Sequence, residues 1–164
     1  MWKAARLNLM LAVLLPSFAS AVQAPASHPV TPQWTEQYLK RSHSALLVDS
    51  DDDHVMSYYF FGTERDVTLM GLERVRGEDY EQFFSLMLFS GQRLLGYYQN
   101  VLSFPSGVEA DGTVQFPRGV RSWMGKDEAE GKAGRFNILN APAQALCQEV
   151  GPQVRCADWV PVTP

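Results

Sequence analysis

Apolar residues are nearly continuous from Leu7 to Ala19, thin out through an Ala/Pro/Ser-rich stretch, and then return in several distinct spacings. The first spacing is helical. Thr31-Pro32 reads as an N-cap followed by proline at the first helical position, and Trp34 and Tyr38 trace one face. This predicts a helix over Pro32 to Ser42. Three strand candidates follow. Ser44 to Asp49 carries the run Ala45-Leu46-Leu47-Val48, His54 to Phe61 is rich in Tyr, Phe and Val, and Asp66 to Val75 alternates along its length. The short polar connections Ser50 to Asp53 and Gly62 to Arg65 predict an antiparallel meander.

The longest pattern lies between Tyr80 and Leu102. Tyr80, Phe84, Met87, Gly91, Leu94, Leu95, Tyr98, Val101 and Leu102 match helical spacing, and Gly77-Glu78-Asp79 places acidic residues where a helix begins. Leu86 and Phe89 fall off this stripe, so Phe83 to Phe89 is apolar almost all round, as expected of a helix buried on more than one side. Beyond Ser103 glycines punctuate shorter segments. Thr113 to Phe116, Gly119 to Met124 and Arg135 to Leu139 are strand candidates, and Gly125 to Gly134 is a charged loop. Pro142 to Val150 is expected as a short helix capped by Asn140, and Val154 to Val160 as a last strand. The fold class these elements predict is α+β: a small antiparallel sheet packed against one long buried helix.

The first apolar run changes the compartment. Lys3 and Arg6 precede it, and Ala19-Ser20-Ala21 supplies a small-x-small cleavage pattern. Met1 to Ala21 is therefore expected to be a secretory signal peptide, shorter than a membrane span needs. The expected organisation is a signal peptide over residues 1–21, a disordered leader over 22–30 and a single domain over 31–164. The mature chain has 143 residues, with 12 basic and 18 acidic, for a net charge of −6. That balance disfavours nucleic acid and anionic lipid, which need a positive field. No second run reaches membrane length. The expected location is the periplasm, with secretion as the alternative.

Export bears on the two cysteines. Cys147 and Cys156 are separated by eight residues that include Gly151-Pro152. In an oxidising compartment the simplest state is a disulfide pinning the C-terminal segment. Closing so short a loop contributes roughly 2.5–3 kcal/mol by chain entropy.

Candidate chemistry is sparse. Asp49, Asp51 and Asp53 alternate as the start of a calcium loop does, but His54 and Phe60 occupy the positions where that loop needs Gly and Glu. The three histidines, His28, His43 and His54, have no zinc-site spacing. There is no G-x-S-x-G and no phosphate-cradling glycine loop. Carboxylate pairs such as Glu78 and Asp79, or Asp127, Glu128 and Glu130, suit helix starts and loop tips better than glycoside chemistry. The strongest candidate is a binding surface of Arg118, Arg121, Trp123, Lys126, Asp127, Glu128 and Arg135, because Arg and Trp dominate interface hot spots. The expectation is a non-enzymatic exported protein that needs no cofactor and binds another exported protein, such as an inhibitor, an immunity protein or an assembly accessory. A small hydrolase using carboxylates with His54 is the first alternative. A ligand or metal carrier with Tyr58, Tyr59, Phe60 and Phe61 lining a pocket is the second.

Overall fold

A computed structural model of the chain describes residues 29–47, 53–126, 134–140 and 144–163. The expected signal peptide, most of the leader, His28, Asp49, Asp51, Asp127, Glu128 and Glu130 lie outside these residues.

Among the described residues the protein is mostly β, with three sheets and one short helix, which corrects the expected sheet on one long helix. Helix α1 (Pro32–Arg41) begins as its sequence predicts: the Thr31 hydroxyl accepts the Trp34 N–H at 3.2 Å, and Pro32 fills the first turn. Lys40 and Arg41 suit its C-terminal end. The strands are β1 (Asp53–Glu64), β2 (Val67–Arg76), β3 (Glu81–Ser90), β4 (Arg93–Val101), β5 (Gly107–Val108), β6 (Val114–Gln115), β7 (Val120–Met124), β8 (Leu146–Val150), β9 (Gln153–Ala157) and β10 (Trp159–Pro161). The main sheet has the order β1-β2-β3-β4-β10, β5 pairs with β6, and the third sheet runs β7-β8-β9; all pairs are antiparallel.

The expected helix from Tyr80 to Leu102 is the hairpin β3–β4. Ser90 faces Arg93 across the turn residues Gly91 and Gln92, and Gly91 takes a φ of 53° that glycine adopts at little cost. The all-round apolar character of Phe83 to Phe89 has a different cause from the one expected. The main sheet is buried on both faces. Leu86 and Leu88 enter one core with Leu69, Tyr98, Phe136 and Leu146, whereas Met87 and Phe89 enter the other with Met70, Leu72 and Leu39 of α1. A strand covered on both sides has no polar face to display.

On the helix side, Trp34 and Tyr38 stack at 5.0 Å and each meets Phe89 edge-on, at 5.5 and 5.6 Å. Val30 also packs here. The opposite face is covered by β5–β6 and the third sheet. Gln148 of β8 joins the layers: its Oε1 accepts the N–H groups of Leu102 and Ser103, and its Nε2 donates to the Ser103 carbonyl.

Three other expectations are corrected. The described part of Ser44 to Asp49 is a turn, with the Leu47 N–H donating to the Ser44 carbonyl and Leu46 buried. The described part of Pro142 to Val150 contains strand β8 in place of a helix. Cys147 pairs in register with Cys156, so the segment must be extended to form the hairpin the disulfide crosses. Arg135 to Leu139 is irregular, carrying one isolated bridge from Asn137 to Thr113, while Phe136 and Ile138 are buried. The strands expected over His54 to Phe61 and Asp66 to Val75 are β1 and β2, paired antiparallel, and the expected Cys147–Cys156 disulfide is present. No helix among the described residues is long and apolar enough to cross a membrane.

Candidate functional site

The Arg/Trp residues singled out from the sequence lie mainly on β7 and the turns flanking it. Trp123 is buried, and its neighbour Arg121 pairs with Glu149 across the strands at 2.6 Å, with its guanidinium 5.9 Å from the Trp123 ring centre. Lys126 pairs with Asp158 at 2.8 Å. Arg118 is exposed in a turn, and Arg135 is exposed near Asp111. The Asp111 carboxyl is held below its ordinary range chiefly by the Thr113 N–H, which it accepts at 2.8 Å. These cations stand on an outer surface and do not converge on a recess.

Asp53, expected at the end of the polar connection Ser50 to Asp53, is instead the first residue of β1. It is buried, and its Oδ2 accepts from Arg74 at 3.4 Å and Arg76 at 3.1 Å. Its neighbour His54 is exposed, because successive residues of a strand point to opposite faces. Asp53 and His54 therefore do not share a cleft. No group of three metal-ligating side chains occurs among the described residues.

A more defined site is formed by β1, the edge strand of the main sheet. Its C-terminal part is covered by β5: a Cβ on Gly62 would come within 2.9 Å of the Val108 Cβ. Over Asp53 to Phe60 the outer edge forms no ladder with any strand among the described residues. Helix α1 stands beside this open stretch. The groove between them has a volume of about 680 Å³, with Gln33, Glu36 and Lys40 on the helical wall and Val55, Met56 and Tyr58 on the strand wall. Lys40 and Glu36 hold each other at 2.6 Å, leaving this wall polar but locally neutral. The register shifts between Val55 and Ser57, so Met56 is a bulge residue, and it is 59 % exposed.

Alternation divides the aromatic run of β1 between two faces. Tyr58 lies on the α1 side, whereas Tyr59 and Phe61 lie on the other and form an aromatic cradle with Phe104. Phe84 extends it, with its ring 4.6 Å from that of Phe104. Gly71 of β2 lies beneath: a Cβ there would fall 2.6 Å from the Phe61 ring and 2.9 Å from that of Phe104. The absent side chain lets the rings lie close to the sheet. Glu73 borders the cradle, its Oε2 accepting the Tyr59 hydroxyl at 2.6 Å and its Oε1 accepting Gln82 Nε2 at 3.0 Å. The hydrogen bond to this carboxylate is the main cause of the raised pKa of Tyr59.

The sequence marked Tyr58 to Phe61 as ligand-lining but assigned all four residues to one pocket. Strand alternation was the signal that separates them. The α1–β1 groove has no such signal, because it arises from the crossing of two elements that only the fold brings together.

Fold and site define a mostly β domain with an open sheet edge, flanked by a helix on one face and an aromatic cradle on the other. Comparison with protein families, curated proteins and solved structures finds no match.

Proposed function

We propose that this is an exported, non-enzymatic binding protein that captures an extended segment of another exported protein by adding it as a strand to β1. The observation that supports this is that, among the described residues, Asp53 to Phe60 forms a ladder with β2 alone and faces α1 across a groove. An exposed edge presents backbone donors and acceptors to any extended chain, and flanking pockets for alternate side chains supply selectivity. Proteins normally guard such edges, and among the described strands β5 covers the C-terminal part of this one. Export is supported by the positively charged, apolar and small-residue pattern of Met1 to Ala21. The Cys147–Cys156 disulfide is compatible with an oxidising compartment.

The test uses a displayed library of random eight-residue peptides panned on the full chain, followed by amide hydrogen exchange with a selected peptide bound. Slowed exchange centred on residues 53–60 is expected. A Met56→Pro variant sets a proline ring at the exposed bulge of the edge strand, a place where proline is tolerated and where it obstructs an added strand, and is expected to lose binding while retaining its thermal transition. Protection mapping to another surface, or undiminished binding by the folded Met56→Pro variant, defeats the proposal.

A further inference from the structure

The geometry points to a preference within that groove, and the inference rests on strand addition at β1: we propose that Glu73 and the Tyr59–Phe61–Phe104 cradle select a Lys or Arg side chain on the captured segment, at the position opposite Ser57. The first support is the state of Glu73. Its carboxylate receives two neutral donors, the Tyr59 hydroxyl and the Gln82 amide. It forms no ion pair among the described residues, and the adjacent Arg74 extends from the other face to Asp53. A partly exposed carboxylate fixed in place by neutral donors is preorganised for a cation, which forms stronger, charge-assisted hydrogen bonds.

The second support is position. Ser57 is the register partner of Glu73, so both side chains rise from the same face. A strand added outside β1 would place a residue opposite Ser57 on that face as well, about 10 Å from the β2 backbone. The Ser57 side chain is small and the Tyr59 hydroxyl bridges it to Glu73, so only a long side chain passing over them reaches the carboxylate. The third support is the ring surface. Tyr59 and Phe61 are nearly parallel, with an interplanar angle of 10°, and Tyr59 is 36 % exposed. Aromatic faces attract ammonium and guanidinium groups and pack against their alkyl stems. The net charge of −4 for the whole chain favours approach of a basic segment.

The occupant is thus an extended segment carrying one basic residue in register with Ser57. The same displayed library tests this. Peptides recovered on the wild-type chain are expected to carry Lys or Arg at one fixed position. Glu73→Gln, which keeps the side-chain shape, should abolish that enrichment and weaken a selected Lys peptide about tenfold. Replacing that Lys by Met in the peptide should weaken wild-type binding by a similar factor, and replacing it by Arg should not. Enrichment that persists in Glu73→Gln overturns the inference. So does binding abolished by Met56→Pro but indifferent to basic residues, which leaves strand addition standing. Binding indifferent to Met56→Pro overturns strand addition and the inference together. If Met56→Pro fails to fold, hydrogen exchange of the wild-type complex over residues 53–60 takes its place. A wild-type chain that sediments as a dimer with protected β1 amides gives the edge to a second copy, and the inference falls.

Discussion

Replacing Asp53 by Ala separates a structural anion from a cation ligand. In the fold the Asp53 side chain is 2 % exposed and that of Arg74 is 6 % exposed, whereas Arg76 is 52 % exposed. Removing Asp53 leaves Arg74 charged, buried and uncompensated. Breaking a buried pair in this way typically costs about 3–5 kcal/mol. The lower end applies here, because the Arg74 contact is long at 3.4 Å and Arg76 stays solvated, so about 3 kcal/mol is expected. For a domain of this size that is a fall in Tm of about 10–15 °C. The three partners should be unequal. Arg74→Met removes the buried charge along with its contact and leaves Asp53 the Arg76 guanidinium at 3.1 Å, so it should cost less, about 1–2 kcal/mol. Arg76→Ala gives up a half-exposed pair and a contact 4.7 Å above the Phe83 ring, worth about 1 kcal/mol or less. The assay is urea unfolding of the three variants and of the Asp53→Ala/Arg74→Met double variant, which should be less destabilised than the sum of its singles. Calcium at millimolar concentration should not raise the wild-type midpoint, since two guanidinium groups already pair with Oδ2 of the buried carboxylate. An Asp53→Ala cost below about 1 kcal/mol, or a calcium-dependent stabilisation lost in that variant, refutes the assignment of Asp53 as a buried counter-ion.

Reducing the Cys147–Cys156 disulfide, whose partners are nine residues apart, should lower stability by about 2.7 kcal/mol from loop entropy, read as a lower urea midpoint with reductant than without. Gly96→Ala should cost about 2–3 kcal/mol, because its Cβ would press on the Trp159 ring and come within 2.5 Å of the Val160 carbonyl, forcing β10 away from β4; an unchanged midpoint would contradict the packing described. Burial pushes the Tyr98 hydroxyl well above its ordinary pKa of about 10, so the folded state holds this proton more tightly than the unfolded chain does. The associated stability is complete below that pH and is lost as pH rises above it. Tyr98→Phe should cost about 1 kcal/mol at neutral pH, through the lost 3.0 Å bond to the Gln144 carbonyl, and should flatten the alkaline limb of a stability–pH profile.

How far the fold could be read from the residues depended on whether a segment faces one environment or two. Helix α1 was legible because Thr31-Pro32 is a local device, a cap and a pre-set φ that act without tertiary help. Strands β1 and β2 were legible from β-branched and aromatic content between polar turns. The β3–β4 hairpin was not, because a strand buried on both faces loses its period of two. Nine apolar positions spread over 23 residues then match a helical template by coincidence. The contrary signals were local: the mostly apolar stretch Phe83 to Phe89, broken by Ser85 and followed by Ser90-Gly91-Gln92, is too short for the helix proposed and is turned by a glycine at positive φ. The β8–β9 hairpin had a similar signal. Two cysteines bracketing Gly151-Pro152 require the flanking residues to lie side by side, which adjacent extended strands achieve directly.

The same burial of both faces explains why the candidate site lies at an edge. With α1 on one side of the main sheet and the two smaller sheets on the other, neither face retains a broad surface for a partner. Both ends of the strand order differ as well. At β10 the pairing is only three residues long, and Trp159 folds its ring back over Gly96. At β1 the strand runs for twelve residues, of which β5 shields the last few. The remaining stretch holds Met56 and Phe60, 59 % and 52 % exposed, on the side of β1 that forms no ladder among the described residues. Exposed apolar side chains on a bare edge are an aggregation hazard unless the edge is used. Bulges at Met56 and near Phe61 blunt it by breaking the regular spacing that a second sheet would need, while a single flexible segment can still follow the bend. An edge irregular enough to resist sheet stacking, yet open enough to accept one strand, favours capture of a peptide over self-association.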